Sequence, residues 1–141
     1  MIAPAPLNPR TIRVVHRVLL AGVVLIGAVF LVIMQVLGGA LNAGLVLAGY
    51  AFAAVSLALL LVAGFLVRPR LPERTAAQSE EEYWQDGRVR SAAVLVWVLC
   101  EGAAIVGWVG FLLAGVTVAA AVGVLALGAL LWHSPGRLAR A

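Results

Sequence analysis

Charged residues are scarce in this 141-residue sequence, since Asp, Glu, Lys and Arg make up only 11% of it. A soluble domain carries about a quarter charged residues, and the mean hydropathy here is +1.09. We therefore expect a protein that lies in a lipid bilayer. Lysine is absent, so every basic side chain is an arginine. The single cysteine, Cys100, excludes an internal disulfide, a two-cysteine redox site and an all-cysteine metal site.

The apolar residues fall into four runs, and about 20 such residues are needed to cross a bilayer as a helix. We predict an all-α membrane protein with four transmembrane helices in a single domain, 1–141. The first run, preceded by the helix-start pattern Asn8-Pro9, is longer than the apolar core of a signal peptide, so we expect it to be retained. The predicted spans are about 14–37, 43–67, 92–113 and 116–132, with a loop at 68–91.

The loop at 68–91 is the only substantial polar segment of the sequence. Ser79 and Glu82 have the spacing of a capping box, which predicts a short helix from about Glu80 that lies at the interface or runs straight into the third span. Aromatic residues are common at the level of the lipid headgroups. We expect Tyr83, Trp84 and Trp132 to lie there.

Arginines are confined to the N-terminal segment, the 68–91 loop and the C-terminal tail, and the turns near 38–43 and 113–117 contain none. Four crossings would place the three arginine-bearing regions on one side. The positive-inside rule makes that side the cytoplasm, so both termini are predicted to be cytoplasmic. The sequence has a high pI of about 10.6. Because the arginines flank apolar runs, the membrane surface explains this value, and we expect no binding to nucleic acid.

The two halves of the sequence resemble each other. Aligning Arg13 with Arg90 brings Gly38 onto Gly115, which predicts a duplicated helical hairpin in parallel orientation. The same alignment places Val24 opposite Glu101, so a carboxylate function would exist in one half only.

Small residues recur at helical spacing in the last three runs and predict close helix packing. Ser56, within the second run, is expected to bond back to its own helix. The small-residue stripes are Ala40, Gly44, Ala48, Ala51, Val55 and Ala58 in the second run, Ala103, Gly107, Gly110 and Ala114 in the third, and Ala119, Gly123 and Ala126 in the fourth.

Glu101 lies near the middle of the third run, where a lone carboxylate is costly. We expect it to be protonated at neutral pH and hydrogen-bonded to a backbone carbonyl, to Ser56 or to the indole N–H of Trp97 or Trp108. One interpretation is a neutral polar clamp between helices, which we favour. The others are a proton- or cation-binding carboxylate, and direct contact with a neighbouring subunit or cofactor.

His16 and His133 are predicted at the cytoplasmic ends of the first and fourth helices. We favour two interfacial histidines, and the alternative is paired axial ligation of a haem. We expect no bound cofactor and no metal. The sequence has no paired acid, no nucleophile–base pair and no metal-ligand cluster, so we expect no catalytic site and no enzyme activity.

The segment LCEGAAIVGWVGFLLAG, residues 99–115, resembles small uncharacterised four-span bacterial inner-membrane proteins that carry a Leu-x-Glu-Gly-Ala motif on the third helix. The resemblance covers about 50 residues and implies no activity. The sequence is also faintly similar to the duplicated hairpins of rotary-ATPase proteolipid subunits, which carry one membrane carboxylate. Those proteins carry the acid on the outer helix of a hairpin, whereas Glu101 is on the first helix of its pair.

We therefore expect a multi-pass protein of the bacterial inner (plasma) membrane, in contact with lipid and with other membrane subunits or copies of itself. The predicted function is that of a structural or accessory subunit of a membrane protein complex. The alternative is a proton-coupled small transporter or channel that uses Glu101.

Overall fold

A computed structural model describes residues 9–140 of the chain, which are all-helical with no strand among them. A 3₁₀ turn, Ala43–Leu45, leads into the second long helix, which continues as a π-helical segment, Val62–Val67, and a 3₁₀ turn, Arg68–Arg70. The helices are α1 (Pro9–Leu37), α2 (Val46–Leu61), α3 (Glu80–Gln85), α4 (Gly87–Ala114), α5 (Thr117–Trp132) and α6 (Pro135–Leu138).

Three helical stretches are long and apolar enough to cross a membrane, namely Pro9–Leu37, Ala43–Arg70 and Gly87–Ala114. The fold is therefore compatible with a multi-pass membrane protein. The fourth predicted span, α5, is apolar but has 16 residues. At about 1.5 Å per residue it is roughly 24 Å long, somewhat shorter than a hydrocarbon core of about 30 Å.

The helix ends follow from local chemistry. Pro9 begins α1, where its fixed φ suits a first helical turn; the cap predicted at Asn8 lies outside the described residues. Helices α1 and α4 are each followed by a glycine with positive φ, 71° at Gly38 and 69° at Gly115. This left-handed conformation costs glycine little because it has no Cβ.

The π-helical segment of the second span lies directly before Pro69. Proline has no N–H to donate, and in a regular α-helix its ring would clash with the carbonyl four residues earlier, that of Phe65. A wider turn relieves the clash, so we attribute the change of helix type to Pro69.

Helix α4 is the centre of the bundle, because α1, α2 and α5 all pack against it. Helix α5 also contacts α2 and α1, whereas α1 and α2 make little contact with each other. The first two long helices therefore do not form a packed pair of the kind that α4 and α5 form, and the helix packing does not repeat the predicted duplication.

The two arginine-free turns lie at one end of the bundle. Backbone N–H groups of Leu41 and Asn42 donate to the carbonyls of Leu112 and Leu113, at 3.1 and 2.8 Å. This places the turn after α1 beside the end of α4.

The arginine-bearing regions lie together at the opposite end. Arg13 pairs with Glu80 at 2.7 Å, which joins α1 to α3. The Tyr83 hydroxyl donates to the Leu138 carbonyl at 3.4 Å, which joins α3 to α6.

The predicted stripes of α4 and α5 are buried as expected. The prediction for α2 was wrong, because Ala51, Val55 and Ala58 are exposed. The whole helix is apolar, so several small-residue spacings fit it equally well. The fit between the surfaces of neighbouring helices selects the face of α2 that packs on the bundle, and this face carries Gly49, Ala53 and Ser56.

The capping box at Ser79 and Glu82 is confirmed. Tyr83 and Trp84, predicted at headgroup level, do not face outward, and their depth in a membrane stays a prediction. These side chains are only 2% and 1% exposed, because α3 packs against α4 and α1 and buries both rings at the arginine-bearing end of the bundle. Trp132 is 67% exposed and stacks with Arg137, whose guanidinium carbon is 4.3 Å from the ring centroid. An exposed tryptophan beside an arginine suits a membrane interface.

Candidate functional site

Glu101 lies at the middle of α4, about 20 Å from either end of the helix at 1.5 Å per residue. Trp97 and Trp108 lie on the same face of α4, and both contact α1. The Trp97 ring is 5.0 Å from the His16 ring, and the Trp108 ring packs on Gly27. Glu101 is therefore on the side of α4 that faces α1, between the two tryptophans, and it is partly exposed.

Within residues 9–140, Glu101 makes no hydrogen bond or ion pair, and two of the three donors expected for it, Ser56 and Trp97, bond elsewhere. The Ser56 hydroxyl donates to the Ala103 carbonyl at 2.6 Å, so it joins α2 to α4 rather than bonding to its own helix as predicted. The Trp97 indole N–H donates to the His133 carbonyl at 2.6 Å. The buried Trp108 indole N–H has no partner in the described part of the chain.

A cluster of aromatic rings closes the arginine-bearing end below Glu101. Trp97 is fully buried, with His16 edge-on to it at 5.0 Å and Trp84 at 6.4 Å. The Tyr83 ring lies 5.2 Å from that of Trp84. These ring contacts join α1, α3 and α4 at this end of the bundle.

The two histidines hold helix α5 in different ways. Nε2–H of His16, which is 5% exposed, donates to the Leu130 carbonyl at 2.9 Å. Nδ1–H of His133 donates to the Ala129 carbonyl of its own helix at 2.8 Å. Burial holds the pKa of His133 below its ordinary value, and the charge of Arg68 acts in the same direction. Each imidazole thus keeps one ring nitrogen for another partner, and haem ligation stays the alternative hypothesis.

No group of three metal-ligating side chains occurs among residues 9–140. A cleft of about 400 Å³ opens at the arginine-bearing end, lined on the α1 side by Arg13, His16 and Arg17. Because His16 contacts Trp97, the inner wall of this cleft is one helical turn, or about 6 Å, below the level of Glu101.

Comparisons of the chain with protein-family models, with curated proteins and with solved structures gave no match.

The structure brings together only part of the predicted site. Trp97 and Trp108 share the α1-facing side of α4 with Glu101, whereas Ser56 binds to a different face of that helix. Gly27 and Gly123 hold the Trp108 ring from two sides; Gly27 was not predicted at all, and Gly123 was predicted only as a member of the small-residue stripe of α5. Their role depends on which helices are neighbours, and a single sequence does not show that.

Proposed function

We propose that this protein is a non-catalytic structural or accessory subunit of an assembly in the bacterial inner membrane. It crosses the bilayer four times, with α5 as the shortest span and both termini in the cytoplasm. The positions of the arginines support this orientation, since they gather at one end of the bundle. The partner is another membrane protein or a second copy of the chain.

The exposed face of α1 carries this proposal. The helix packs on the bundle through one side only, with Ile12, His16, Val23 and Gly27 buried. On the opposite side, apolar residues follow the alternating three- and four-residue spacing of a packed helix pair. All of them are exposed, and they are Val18, Ala21, Leu25, Ala28 and Val32.

This second face suits another helix rather than lipid alone. Association of helices in a membrane depends on close van der Waals packing, which small residues at the interface permit. Ala21 and Ala28 are seven residues apart on the exposed face of α1 and lie between larger side chains. We name this set of five residues the α1 outer stripe.

The native mass of gently solubilised protein, with the copurifying chains identified, tests the proposal. We expect a complex larger than the monomer. Replacing Ala21 and Ala28 with leucine should release the partner, because the larger side chains keep the helices apart. Ala121→Leu, at an exposed position of α5, is the matched control. A monomer in native membranes, or equal behaviour of the two variants, would contradict the proposal.

The duplicated hairpin stays a prediction. The aligned residues Gly38 and Gly115 both end a long helix with similar positive φ angles of 71° and 69°, which favours it. The different packing of the two helix pairs does not.

A proton-coupled small transporter or channel is the second candidate, and the unpartnered carboxyl of Glu101 supports it. Without the hydrogen bonds expected of a clamp, this group is free to take up or release a proton. The His16-lined cleft approaches it to within about one turn of α4.

The two functions differ in what Glu101→Gln does. A transporter reconstituted in vesicles should show a pH-dependent flux that Glu101→Gln abolishes and that Glu81→Gln, an exposed control on α3, leaves intact. Under the structural function both variants behave alike. An infrared carboxylic C=O band that is lost in Glu101→Gln and unchanged between mildly acid and alkaline pH would indicate a permanently neutral group.

A further inference from the structure

The cleft at the arginine-bearing end has the shape and charge of a binding site. Its volume is about 400 Å³. Its walls are one face of the first turns of α1 and the connection from α5 to α6, and no acidic side chain among residues 9–140 lines it. The lining residues are Arg13, His16, Arg17, Ser134, Pro135 and Gly136.

The cleft keeps a positive charge that the described residues do not neutralise. Arg13 pairs with Glu80 at 2.7 Å, but Arg17 makes no ion pair within residues 9–140. The Ser134 hydroxyl precedes α6 without capping it, so it is free to donate a hydrogen bond into the cleft. A guanidinium and a hydroxyl together match the oxygens of a phosphate group, which arginine binds with two parallel hydrogen bonds.

The surroundings of the cleft are apolar on the side of the membrane spans. Val14 is 55% exposed on α1, and Leu131 is 51% exposed on α5. Trp132, also exposed, marks the level at which tryptophans meet lipid headgroups. A phosphate held by Arg17 would therefore have room for hydrocarbon chains beside it.

We propose that this cleft binds a phosphate ester through Arg17 and Arg13, with Ser134 as a further donor. The apolar surface beside it favours the phosphate of an anionic phospholipid over that of a soluble ester. This site does not involve the α1 outer stripe, so it stands or falls apart from the proposed structural function.

Native mass spectrometry of the full chain in a mild detergent tests the site. The probes are short-chain phosphatidylglycerol, phosphatidylcholine and inorganic phosphate. We expect the protein to prefer phosphatidylglycerol, and Arg17→Gln to weaken that binding by about tenfold or more, the effect of losing a charge-assisted hydrogen bond. Arg88→Gln removes an exposed charge from the start of α4, outside the cleft, and should leave the affinity unchanged.

Two further variants distinguish specific recognition of the phosphate group from nonspecific electrostatic attraction. Arg17→Lys keeps the charge but loses the two-pronged geometry, so we expect intermediate binding. Ser134→Ala leaves every charge in place and should weaken binding about two- to tenfold. Helical circular dichroism of each variant confirms that it folds.

The experiment with inorganic phosphate distinguishes a phospholipid ligand from a soluble phosphate ligand. Competition by inorganic phosphate, with the same dependence on Arg17 and no preference among lipids, would support the phosphate site with a soluble ligand. Equal weakening by Arg17→Gln and Arg88→Gln, with no effect of Ser134→Ala, would show attraction to surface charge alone and overturn the proposal. So would equal binding of phosphatidylglycerol by all variants.

Discussion

The indole ring of Trp108 fastens three helices together. It extends from α4 and lies against Gly27 of α1 and Gly123 of α5, and a Cβ at either glycine would collide with it. The ring can occupy this place only because both neighbours lack a side chain. Its indole N–H has no partner among the described residues, so fit rather than hydrogen bonding holds it.

We therefore expect Gly27→Ala to destabilise the bundle by about 1–3 kcal/mol, the usual effect of overpacking. Gly22→Ala on the same helix is the matched control, since a Cβ there meets nothing within 4 Å. Unfolding by SDS, followed by tryptophan fluorescence, measures both. Equal midpoints for the two variants would show that α1 does not depend on this contact.

Ser56 makes the polar contact between α2 and α4. Its hydroxyl is fully buried and donates to the Ala103 carbonyl at 2.6 Å. Hydrogen bonds between membrane helices contribute about 0.6–2 kcal/mol each, so Ser56→Ala should lower the free energy of unfolding by that amount. Ser91→Ala is the control, because Ser91 is exposed and bonds to carbonyls of its own helix. An equal loss in the two variants would exclude a special role for the contact between helices.

Helix α3 is too short to be stable alone and depends on its cap and its packing. The Ser79 N–H donates to the Glu82 carboxylate at 2.7 Å, and the Glu82 N–H donates to the Ser79 hydroxyl at 3.1 Å. The helix in turn presents Tyr83 and Trp84 to the base of the bundle. A substitution at Ser79 or Glu82 should therefore change the environment of the Tyr83 and Trp84 rings.

The cap predicts a pH dependence. Hydrogen bonds from Ser79, first its backbone N–H and then its side chain, hold the pKa of Glu82 below its ordinary value of 4.5. A lowered pKa in the folded state stabilises the fold above the ordinary value, and this contribution disappears as the pH falls through the folded pKa. We expect the emission of Trp84 to shift to the red in acid as α3 loosens.

Glu82→Gln should remove part of this acid transition, because the titrating group is gone. Glu81→Gln, exposed in the same turn, should retain it. An acid transition that is identical in the two variants would assign the effect to other carboxyl groups, such as that of Glu80, which pairs with Arg13.

The bundle as a whole has two chemically distinct ends, and this asymmetry predicts its topology. In a Cys100→Ala background, single cysteines replace Asn42 in the turn after α1, Gln78 before α3 and Arg140 after α6. We expect membrane-impermeant thiol reagents to label Gln78→Cys and Arg140→Cys from the same side and Asn42→Cys from the other. If Arg140→Cys reacted from the same side as Asn42→Cys, α5 would not cross the membrane.

The ends of the helices could be predicted from the sequence better than the packing of their middle parts. The helix lengths and ends could be predicted because apolar runs, glycines, prolines and the Ser79 cap act locally. Helix α4 begins at Gly87, a few residues before the predicted start of the third span near residue 92, because Asp86 caps it. A cap of this kind, at a polar position before the apolar run, is the local signal that the prediction overlooked.

In the membrane-spanning segments, no such local pattern shows which helix faces pack together. In α2 nearly every residue is apolar, so no contrast between faces shows which one packs, and the small-residue stripe predicted for it was exposed. The same holds for Glu101, whose expected donors Ser56 and Trp97 bond instead to the carbonyls of Ala103 and His133. The amino-acid sequence by itself therefore determined where the helices form and at which end of the bundle the arginines lie. The tertiary structure alone decided which faces meet, because between apolar helices the fit of shapes, not hydrophobicity, selects the partner.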